Sequence, residues 1–190
     1  MLLSLYSERV EKMQNRQVVY LLSGPSHAPY VAASLWSLRK SGYDGQVVIH
    51  AWPESIGYAR IMAADERLKT WACEREPKLR REDGLGRNAQ GLDRIDLMMS
   101  FDDGVTVYLD ADTSVHGDIS PMFEEAEKTG YCATQFCDWT MRGVTAKRIR
   151  GLAEVKGIPT DLVNTVLANS WPSLNCGVFA AKPDSPLLPK

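Results

Sequence analysis

Short apolar runs alternate with amphipathic stretches along most of this chain. Residues 18–22 (VVYLL) are apolar and rich in β-branched side chains, and Ser23-Gly24-Pro25 stops the run, which predicts a buried strand that ends in a loop. Residues 28–40 follow a helical spacing, and Gly42 is placed to end that helix. The helix face that we expect to be buried consists of Val31, Ser34, Leu35 and Leu38. Residues 46–51 (QVVIHA) predict a second strand, and the order strand, helix, strand implies a parallel sheet.

The same alternation continues along the rest of the chain. Further strands are predicted at 69–74, 105–109, 131–136 and 176–181. Further helices are predicted at 60–67, 87–100, 140–154 and 160–168, the second of which should bury Leu92, Ile95 and Met99. Residues 76–86 are charged and glycine-containing, which is typical of a loop. The pattern therefore predicts one α/β domain with a mostly parallel central sheet flanked by helices.

Residues 1–16 differ from the rest and are predicted to be a helical extension preceding a domain over 17–190. Their apolar residues recur at helical spacing, which favours an amphipathic helix against the body or a partner; these residues are Leu3, Tyr6, Val10 and Met13. The segment lacks the basic start, sustained apolar core and cleavage site of a signal peptide. No stretch approaches the roughly 20 apolar residues that cross a bilayer, so we expect a soluble, cytoplasmic protein.

Composition narrows the classes of partner. The 22 basic and 24 acidic residues leave a formal charge of −2, and no basic stripe with interleaved aromatics is present, so a nucleic-acid partner is not expected. The four cysteines form no Cys-x-x-Cys pair and none lies near a histidine at zinc-ligand spacing. We expect them to be buried thiols in a reducing compartment.

The most informative segment is Asp110-Ala111-Asp112, directly after the apolar run 105–109. In an open parallel sheet, ligands bind beyond the carboxyl ends of the strands, where this segment falls. Two carboxylates two residues apart on extended backbone project to the same side, and such oxygen ligands suit Mg²⁺ or Mn²⁺ together with phosphate oxygens. Asp-x-Asp tripeptides are common, however, and a solvated turn is the alternative interpretation.

Three segments together resemble one family. Residues 107–113 (VYLDADT), followed by 117–123 (GDISPMF), are similar to the Asp-x-Asp region of GT-A fold glycosyltransferases of the glycogenin and galactosyltransferase type. Residues 173–179 (SLNCGVF) resemble that family's Phe-Asn-x-Gly-Val strand, and 133–138 (ATQFCD) more weakly resemble a strand whose terminal aspartate faces the donor sugar. With the nucleotide-binding half at 18–38, the resemblance covers most of 17–182.

The resemblance implies a GT-A (Rossmann-like) domain and assigns roles to several residues. It makes Asp112 the direct ligand of Mn²⁺ or Mg²⁺ and lets Asp110 bridge the metal and the ribose. Asn175 and Asp138 are expected to hydrogen-bond the donor sugar, and either Arg87 or Arg94 to contact phosphate. The expected donor-binding set consists of Arg87, Arg94, Asp110, Ala111, Asp138 and Asn175, together with Ser23 and Gly24, which stand after the first strand where the family binds the nucleotide.

Two departures from the family pattern stand out. Many relatives place an acidic residue after the first strand, whereas this chain has Ser23 and Gly24 there. Relatives also continue past the Asn-x-Gly strand with acceptor-binding elements and often a metal-ligand histidine, so we expect this chain to lack the usual C-terminal acceptor part. His116, which follows the aspartate turn, is expected at the surface.

The resemblance implies a metal-dependent glycosyltransferase that uses a nucleotide-sugar donor, a UDP-sugar first of all, and an acceptor that the sequence does not identify. No catalytic base is assigned, and the residues do not decide between retention and inversion. One alternative is a truncated, inactive module that binds a sugar nucleotide or a partner. Another is a sugar nucleotidyltransferase, which would require a basic, glycine-rich loop after the first strand.

Overall fold

A six-stranded sheet organises the chain in the computed structural model, which describes residues 16–76, 93, 94, 97, 104–140, 159–161, 164 and 172–183, with the backbone alone at 134–140 and 172–176. The strands are β1 (Arg16–Leu22), β2 (Gln46–Ala51), β3 (Trp71–Glu74), β4 (Val105–Leu109), β5 (Tyr131–Thr140) and β6 (Pro172–Ala181). Their order across the sheet is β3-β2-β1-β4-β6-β5. β1 pairs in parallel with β2 and β4, β2 in parallel with β3, and β6 antiparallel with β4.

Helices with described bounds flank this sheet. They are α1 (Ala28–Lys40), α2 (Ile56–Ala63) and α3 (Ser120–Thr129). The α/β class with a mostly parallel sheet, predicted from the alternating pattern, is therefore confirmed.

β1 and α1 form the centre of the core. Residues 18–22 of β1 are buried on both faces, as the continuous apolar run predicts for a strand with neighbours on each side. The four residues of α1 that were expected to be buried are all buried. The one polar residue among them, Ser34, forms a 2.9 Å hydrogen bond between its hydroxyl and that of Tyr20. The helix ends at Lys40, and Gly42, two residues later, has a φ of +96° that turns the chain away. The packing of β1 against α1 therefore fixes the position of the carboxyl end of β1.

β4 lies on the other side of β1 and is buried along its whole length. β6 pairs with it antiparallel through residues 178–181. The ring of Tyr108 stacks on Phe179 with centroids 5.1 Å apart. The last ladder bond is donated by the Asp110 amide to the Gly177 carbonyl, at 2.7 Å. The backbone of Asp110 is therefore held by the sheet.

α3 follows the aspartate turn and returns the chain towards β5. Pro121 occupies its first turn, and Gly130, with a φ of +88°, ends it. Its buried residue Phe123 stacks on Tyr43 with centroids 5.9 Å apart. The segment 117–123, which resembles a family motif, thus contributes a buried core residue and also connects the aspartate turn to α3.

Several predicted boundaries were wrong. The helix predicted at 60–67 is α2, which begins at Ile56 after a short 3₁₀ turn over Pro53–Ser55 and ends at Ala63. The strand predicted at 69–74 begins at Trp71, because Lys69 adopts a left-handed φ of +45° that interrupts extended backbone. The strands predicted at 131–136 and 176–181 are longer, β5 by four residues at its end and β6 by four at its start.

Other predictions lie partly or wholly outside the described residues. The helix predicted at 87–100 is helical at 93, 94 and 97, where Leu97 is buried, whereas Leu92, Ile95 and Met99 are not described. The helix predicted at 160–168 is helical at 160, 161 and 164. The helix at 140–154 and the extension 1–16 lie outside, apart from Thr140 and Arg16, both strand residues.

The expectation of buried thiols was wrong for Cys73, which is exposed on β3 at the edge of the sheet. Cys132 is a free, half-buried thiol. The side chains of Cys137 and Cys176 are not described. In the described part of the chain, no helix combines the length and apolarity needed to span a membrane.

The chain divides into two compact units. The first contains residues 1–132 and 177–190, and so includes β1 to β4, the helices α1 to α3 and the end of β6. The second contains residues 133–176, described through most of β5, the start of β6 and a few helical positions near 160. All the contacts discussed below lie within the first unit.

His50 gives the fold a testable pH dependence. It lies in β2 between Leu21 and Cys73, and burial, reinforced by the charge of Arg75, lowers its pKa to about 4. Because the folded state disfavours protonation while the unfolded chain retains a pKa of about 6.5, stability should fall as the pH drops through that interval. Linkage predicts a loss of about 2 kcal/mol between pH 7 and pH 5.

Replacing His50 with leucine should remove this loss, because the substituted side chain binds no proton. Urea unfolding at pH 7 and pH 5 measures the free energy for both proteins. His116→Gln, at an exposed histidine, is the control and should retain the wild-type difference. An unchanged difference in His50→Leu would contradict the prediction.

Candidate functional site

A cavity of about 320 Å³ lies where β1 and β4 end side by side. From β1 the chain passes through α1 to β2 on one side, whereas β4 pairs with β1 on the other, so the strand order reverses direction here. Such a switch point opens a crevice at the carboxyl ends of parallel strands. The cavity is lined by Leu21, Ser23, His27, Tyr30, Arg94, Tyr108, Asp110, Ala111 and Asp112.

The β4 wall of the cavity is the turn that begins at Asp110. The amide of Thr113 donates a 3.0 Å hydrogen bond to the Asp110 carbonyl, which closes the turn, while the Asp110 amide is bound to β6. The prediction that both carboxylates project from extended backbone was therefore wrong in its geometry. The turn nevertheless brings Asp110 and Asp112 to one cavity, as expected.

Asp110 is held by two donors at one oxygen. The hydroxyl of Tyr108 donates to its Oδ1 at 2.9 Å, and Nη2 of Arg94 lies 3.1 Å from the same atom. The Arg94 guanidinium also lies over the Tyr108 ring, 5.9 Å from its centroid. The Asp110 and Arg94 side chains are 23% and 31% exposed, so the pair is shielded but open to the cavity.

Burial dominates the electrostatics of this cluster. It raises the pKa of Asp110 above its ordinary value, and the attraction of Arg94 and the hydrogen bond from Tyr108 only partly offset this effect. Burial, followed by the charge of Asp110, raises the pKa of Tyr108 well above its usual range. The Tyr108 hydroxyl therefore remains a proton donor to Asp110 at neutral pH.

Asp112 contrasts with its neighbour. It is exposed at the cavity, and the described residues offer it no hydrogen bond or ion pair. A carboxylate in this position keeps both oxygens available to a ligand. The turn thus presents one carboxylate engaged by the protein and one available.

The β1 wall is built from a loop and the start of α1. Ser23 is buried and its Oγ lies 3.4 Å from Nδ1 of His27, at the end of the 3₁₀ turn over Pro25–His27. Tyr30 lies one helical turn later and is 58% exposed, so its ring is accessible at the cavity. With Leu21 these side chains form the β1 wall of the cavity, which contains no carboxylate, lysine or arginine among the residues that the structure describes.

The cavity gathers five of the predicted site residues, which are Ser23, Arg94, Asp110, Ala111 and Asp112. Gly24 adjoins the cavity in extended conformation but does not line it. Asp138 lies in β5 and Asn175 in β6, and their side chains are not described. Arg87 lies outside the described residues, so of the two candidate arginines it is Arg94 that is seen at the cavity.

Sequence reasoning missed the side chains that complete the cavity, namely Leu21, His27, Tyr30 and Tyr108. The available indication was position: His27 and Tyr30 follow the carboxyl end of the first strand, where a parallel sheet places ligands. Their relevance depends on β4 being the neighbour of β1, which the local pattern does not reveal.

The donor set is compatible with a hard divalent cation. Mg²⁺ is commonly held by one or two carboxylates, with waters and substrate phosphates completing its coordination. Asp112 supplies one available carboxylate, and Asp110 lies beside it in the same turn. The described residues contain no cluster of three or more histidine, cysteine, aspartate or glutamate side chains able to hold a metal. Oxygens from a ligand or water would therefore complete the site.

No family model matches the sequence, and no curated protein matches it. Solved structures do. The galactosyltransferase LgtC in complex with donor and acceptor sugar analogs matches with a TM-score of 0.57 and 16% identity, over 88% of this chain and 58% of LgtC. An active-site mutant of LgtC matches with a TM-score of 0.60 and 17% identity, over 88% and 57%.

A third match is the apo form of mouse xyloside xylosyltransferase 1, with a TM-score of 0.56 and 13% identity, over 91% of this chain and 70% of that one. These likenesses confirm the predicted fold: the chain has the GT-A fold of glycosyltransferases. It spans less than two thirds of the length of LgtC.

Proposed function

We propose that this chain carries the donor-binding part of a metal-dependent glycosyltransferase, which moves a sugar from a nucleoside-diphosphate donor to an acceptor hydroxyl. The observation that supports it best is the cavity at the switch point of a GT-A sheet, whose described lining includes the carboxylates of Asp110 and Asp112 and the guanidinium of Arg94. LgtC, which shares the fold, was solved with donor and acceptor sugar analogs, and the mouse protein is a xylosyltransferase.

The charges in the cavity favour a metal-bound diphosphate. Asp110 and Asp112 contribute two negative charges, and Arg94 balances one of them. A diphosphate approaching this wall would be repelled unless a cation accompanied it. Asp112 would hold such a divalent cation, which would remove that repulsion and supply Lewis-acid stabilisation of the departing nucleoside diphosphate.

The two walls suggest an orientation for the donor. Among the described lining residues, the formally charged groups are Asp110, Asp112 and Arg94, so the diphosphate belongs beside Asp112 and Arg94. A guanidinium can hold phosphate oxygens through two parallel N–H donors. The β1 wall carries Leu21, Ser23 and the exposed ring of Tyr30, which suit the apolar faces and hydroxyls of a nucleoside.

A thermal-shift screen of nucleotide sugars, UDP-sugars first, tests this proposal. We expect the correct donor with saturating Mn²⁺ to raise the melting temperature by about 5–10 °C, because a ligand at a hundred times its Kd contributes about 2.7 kcal/mol. Asp112→Asn should lose most of the Mn²⁺-dependent part of this shift. Glu125→Gln, which removes an exposed carboxylate from α3, is the matched control and should retain it.

The same screen separates the alternatives. A sugar nucleotidyltransferase would be stabilised by a nucleoside triphosphate and would release pyrophosphate when given a sugar phosphate. The described residues of the β1 wall include no lysine or arginine to support that reaction. An inactive binding module would show the donor-dependent shift without transfer or donor hydrolysis. No shift with any nucleotide sugar, with or without Mn²⁺, would contradict the proposed function.

A further inference from the structure

Two protein donors already occupy the oxygen of Asp110 that faces Arg94. The neutral hydroxyl of Tyr108 lies 2.9 Å from Oδ1, and the cationic Nη2 of Arg94 lies 3.1 Å from the same atom. Asp112, two residues away, receives no such partner from the described residues. The protein thus places a cation of its own on one of the two carboxylates proposed to serve a metal.

Holding both an arginine and a divalent cation close to Asp110 is electrostatically unfavourable. Both are positive, and in a partly shielded site their repulsion is stronger than in bulk water. An incoming metal must therefore either stay at Asp112 alone or displace the guanidinium. The Arg94 side chain is 31% exposed at the cavity wall, so it has room to leave Asp110.

A diphosphate gives that guanidinium an alternative partner in the same cavity. Phosphate oxygens match the planar fork of arginine, and they carry more charge than a single carboxylate. Tyr108 would still donate to Asp110 after Arg94 left, so the carboxylate would keep its orientation. The Tyr108 ring lies under the guanidinium and offers it a surface on which to shift.

We propose that Arg94 is an exchangeable counter-ion: it occupies Asp110 and weakens divalent-cation binding when no nucleotide is present, and moves to the diphosphate when the donor binds. The inference rests on the proposed function, because it takes the metal and the donor to share this cavity. Its consequence is coupling: each ligand should strengthen the other's binding by the same factor. The site would then load with metal mainly together with its donor.

The test is Mn²⁺ binding to the nucleotide-free protein, measured by electron paramagnetic resonance of the unbound ion. We expect Arg94→Met to bind Mn²⁺ about tenfold more tightly than wild type, within the 5- to 150-fold range typical of coupled sites. Arg67→Met is the matched control, because it removes the same type of charge at an exposed position paired with Asp65. It should bind Mn²⁺ as wild type does.

Repeating the titration with saturating UDP measures the coupling itself. In wild type, UDP should raise the Mn²⁺ affinity by a larger factor than in Arg94→Met, since only the wild type has a counter-ion to displace. Mn²⁺ affinity in nucleotide-free Arg94→Met that is equal to or lower than wild type would overturn the inference. If that variant does not fold, Arg94→Gln takes its place, with the same expected direction and the same overturning result.

Two further variants distinguish failure of this inference from failure of the proposed site. If Asp112→Asn and Asp110→Asn both leave Mn²⁺ binding unchanged, the metal does not bind here and the proposed function loses its basis. If they weaken binding while Arg94→Met does not strengthen it, the site stands and the exchange alone is wrong.

Discussion

Asp112→Asn is expected to reduce kcat/KM for donor turnover by about a thousandfold. Asp112 is the exposed carboxylate of the cavity turn, and no described residue competes for it. Lewis-acid stabilisation of a leaving group contributes several kcal/mol, and each 1.36 kcal/mol corresponds to a factor of ten in rate. Asparagine retains the size of the side chain but offers the cation only a neutral oxygen.

The measurement is release of nucleoside diphosphate from the donor that the binding screen identifies, with and without an acceptor sugar. Glu125→Gln should retain the wild-type rate, since it removes a carboxylate far along α3 from the turn. A rate for Asp112→Asn within about threefold of wild type, at saturating Mn²⁺, would mean that this carboxylate does not hold the metal on the reaction path.

How accurately the sequence predicts a helix or strand depends on whether the interactions that set its bounds are local or long-range. The helix at 28–40 and the strand at 46–51 were predicted to the residue, because glycine and proline mark their ends and the apolar period is clear. In contrast, α2 lies four residues earlier in the chain than the helix predicted at 60–67. There the Arg67 amide donates to the Asp65 side chain at 3.0 Å, a local turn that ends the helical region before the charged residues predicted to be in it.

The residues of the candidate site divide in the same way, into those that local sequence predicts and those that depend on long-range strand pairing. Asp110 and Asp112 were predicted because they follow directly from the strand before them, a local relation. Apart from Ser23, the side chains of the β1 wall were missed because they reach the turn only through the pairing of β1 with β4, in which Gln17 lies opposite Thr106. Nothing in the sequence around His27 or Tyr30 specifies that long-range neighbour.

The two candidate arginines illustrate a further limit of periodicity. Arg87 and Arg94 are seven residues apart, close to two helical turns, so a helix places them on the same face. Helical periodicity therefore cannot tell which of the two arginines reaches the cavity. That depends on the position of each arginine along the helix axis. Arg94 lies beside the carboxyl end of β4, with its guanidinium on Asp110.

The second large effect concerns the packing that supports the aspartate turn. Phe123 belongs to the segment that resembles a family motif, yet it is 1% exposed and forms part of the core. Its ring stacks on Tyr43 at 5.9 Å, and the Arg16 guanidinium lies 5.4 Å from its centroid. Arg16 is itself fixed by Glu127, through hydrogen bonds of 2.7 and 2.9 Å. Phe123 therefore joins α3 to β1 and to the loop before β2.

Phe123→Ala is expected to lower the free energy of unfolding by about 3–5 kcal/mol, the usual cost of emptying a buried aromatic position. That is a large share of the roughly 5–15 kcal/mol that stabilises a typical domain, so urea unfolding should show a much lower midpoint. Lys128→Ala, at an exposed position of the same helix, is the control and should stay within about 0.5 kcal/mol of wild type. A loss below about 1 kcal/mol for Phe123→Ala would mean that its neighbours fill the space. Since only residues 114–119 separate α3 from the turn that carries Asp110 and Asp112, Phe123→Ala should also bind its donor less tightly at temperatures where α3 is still folded.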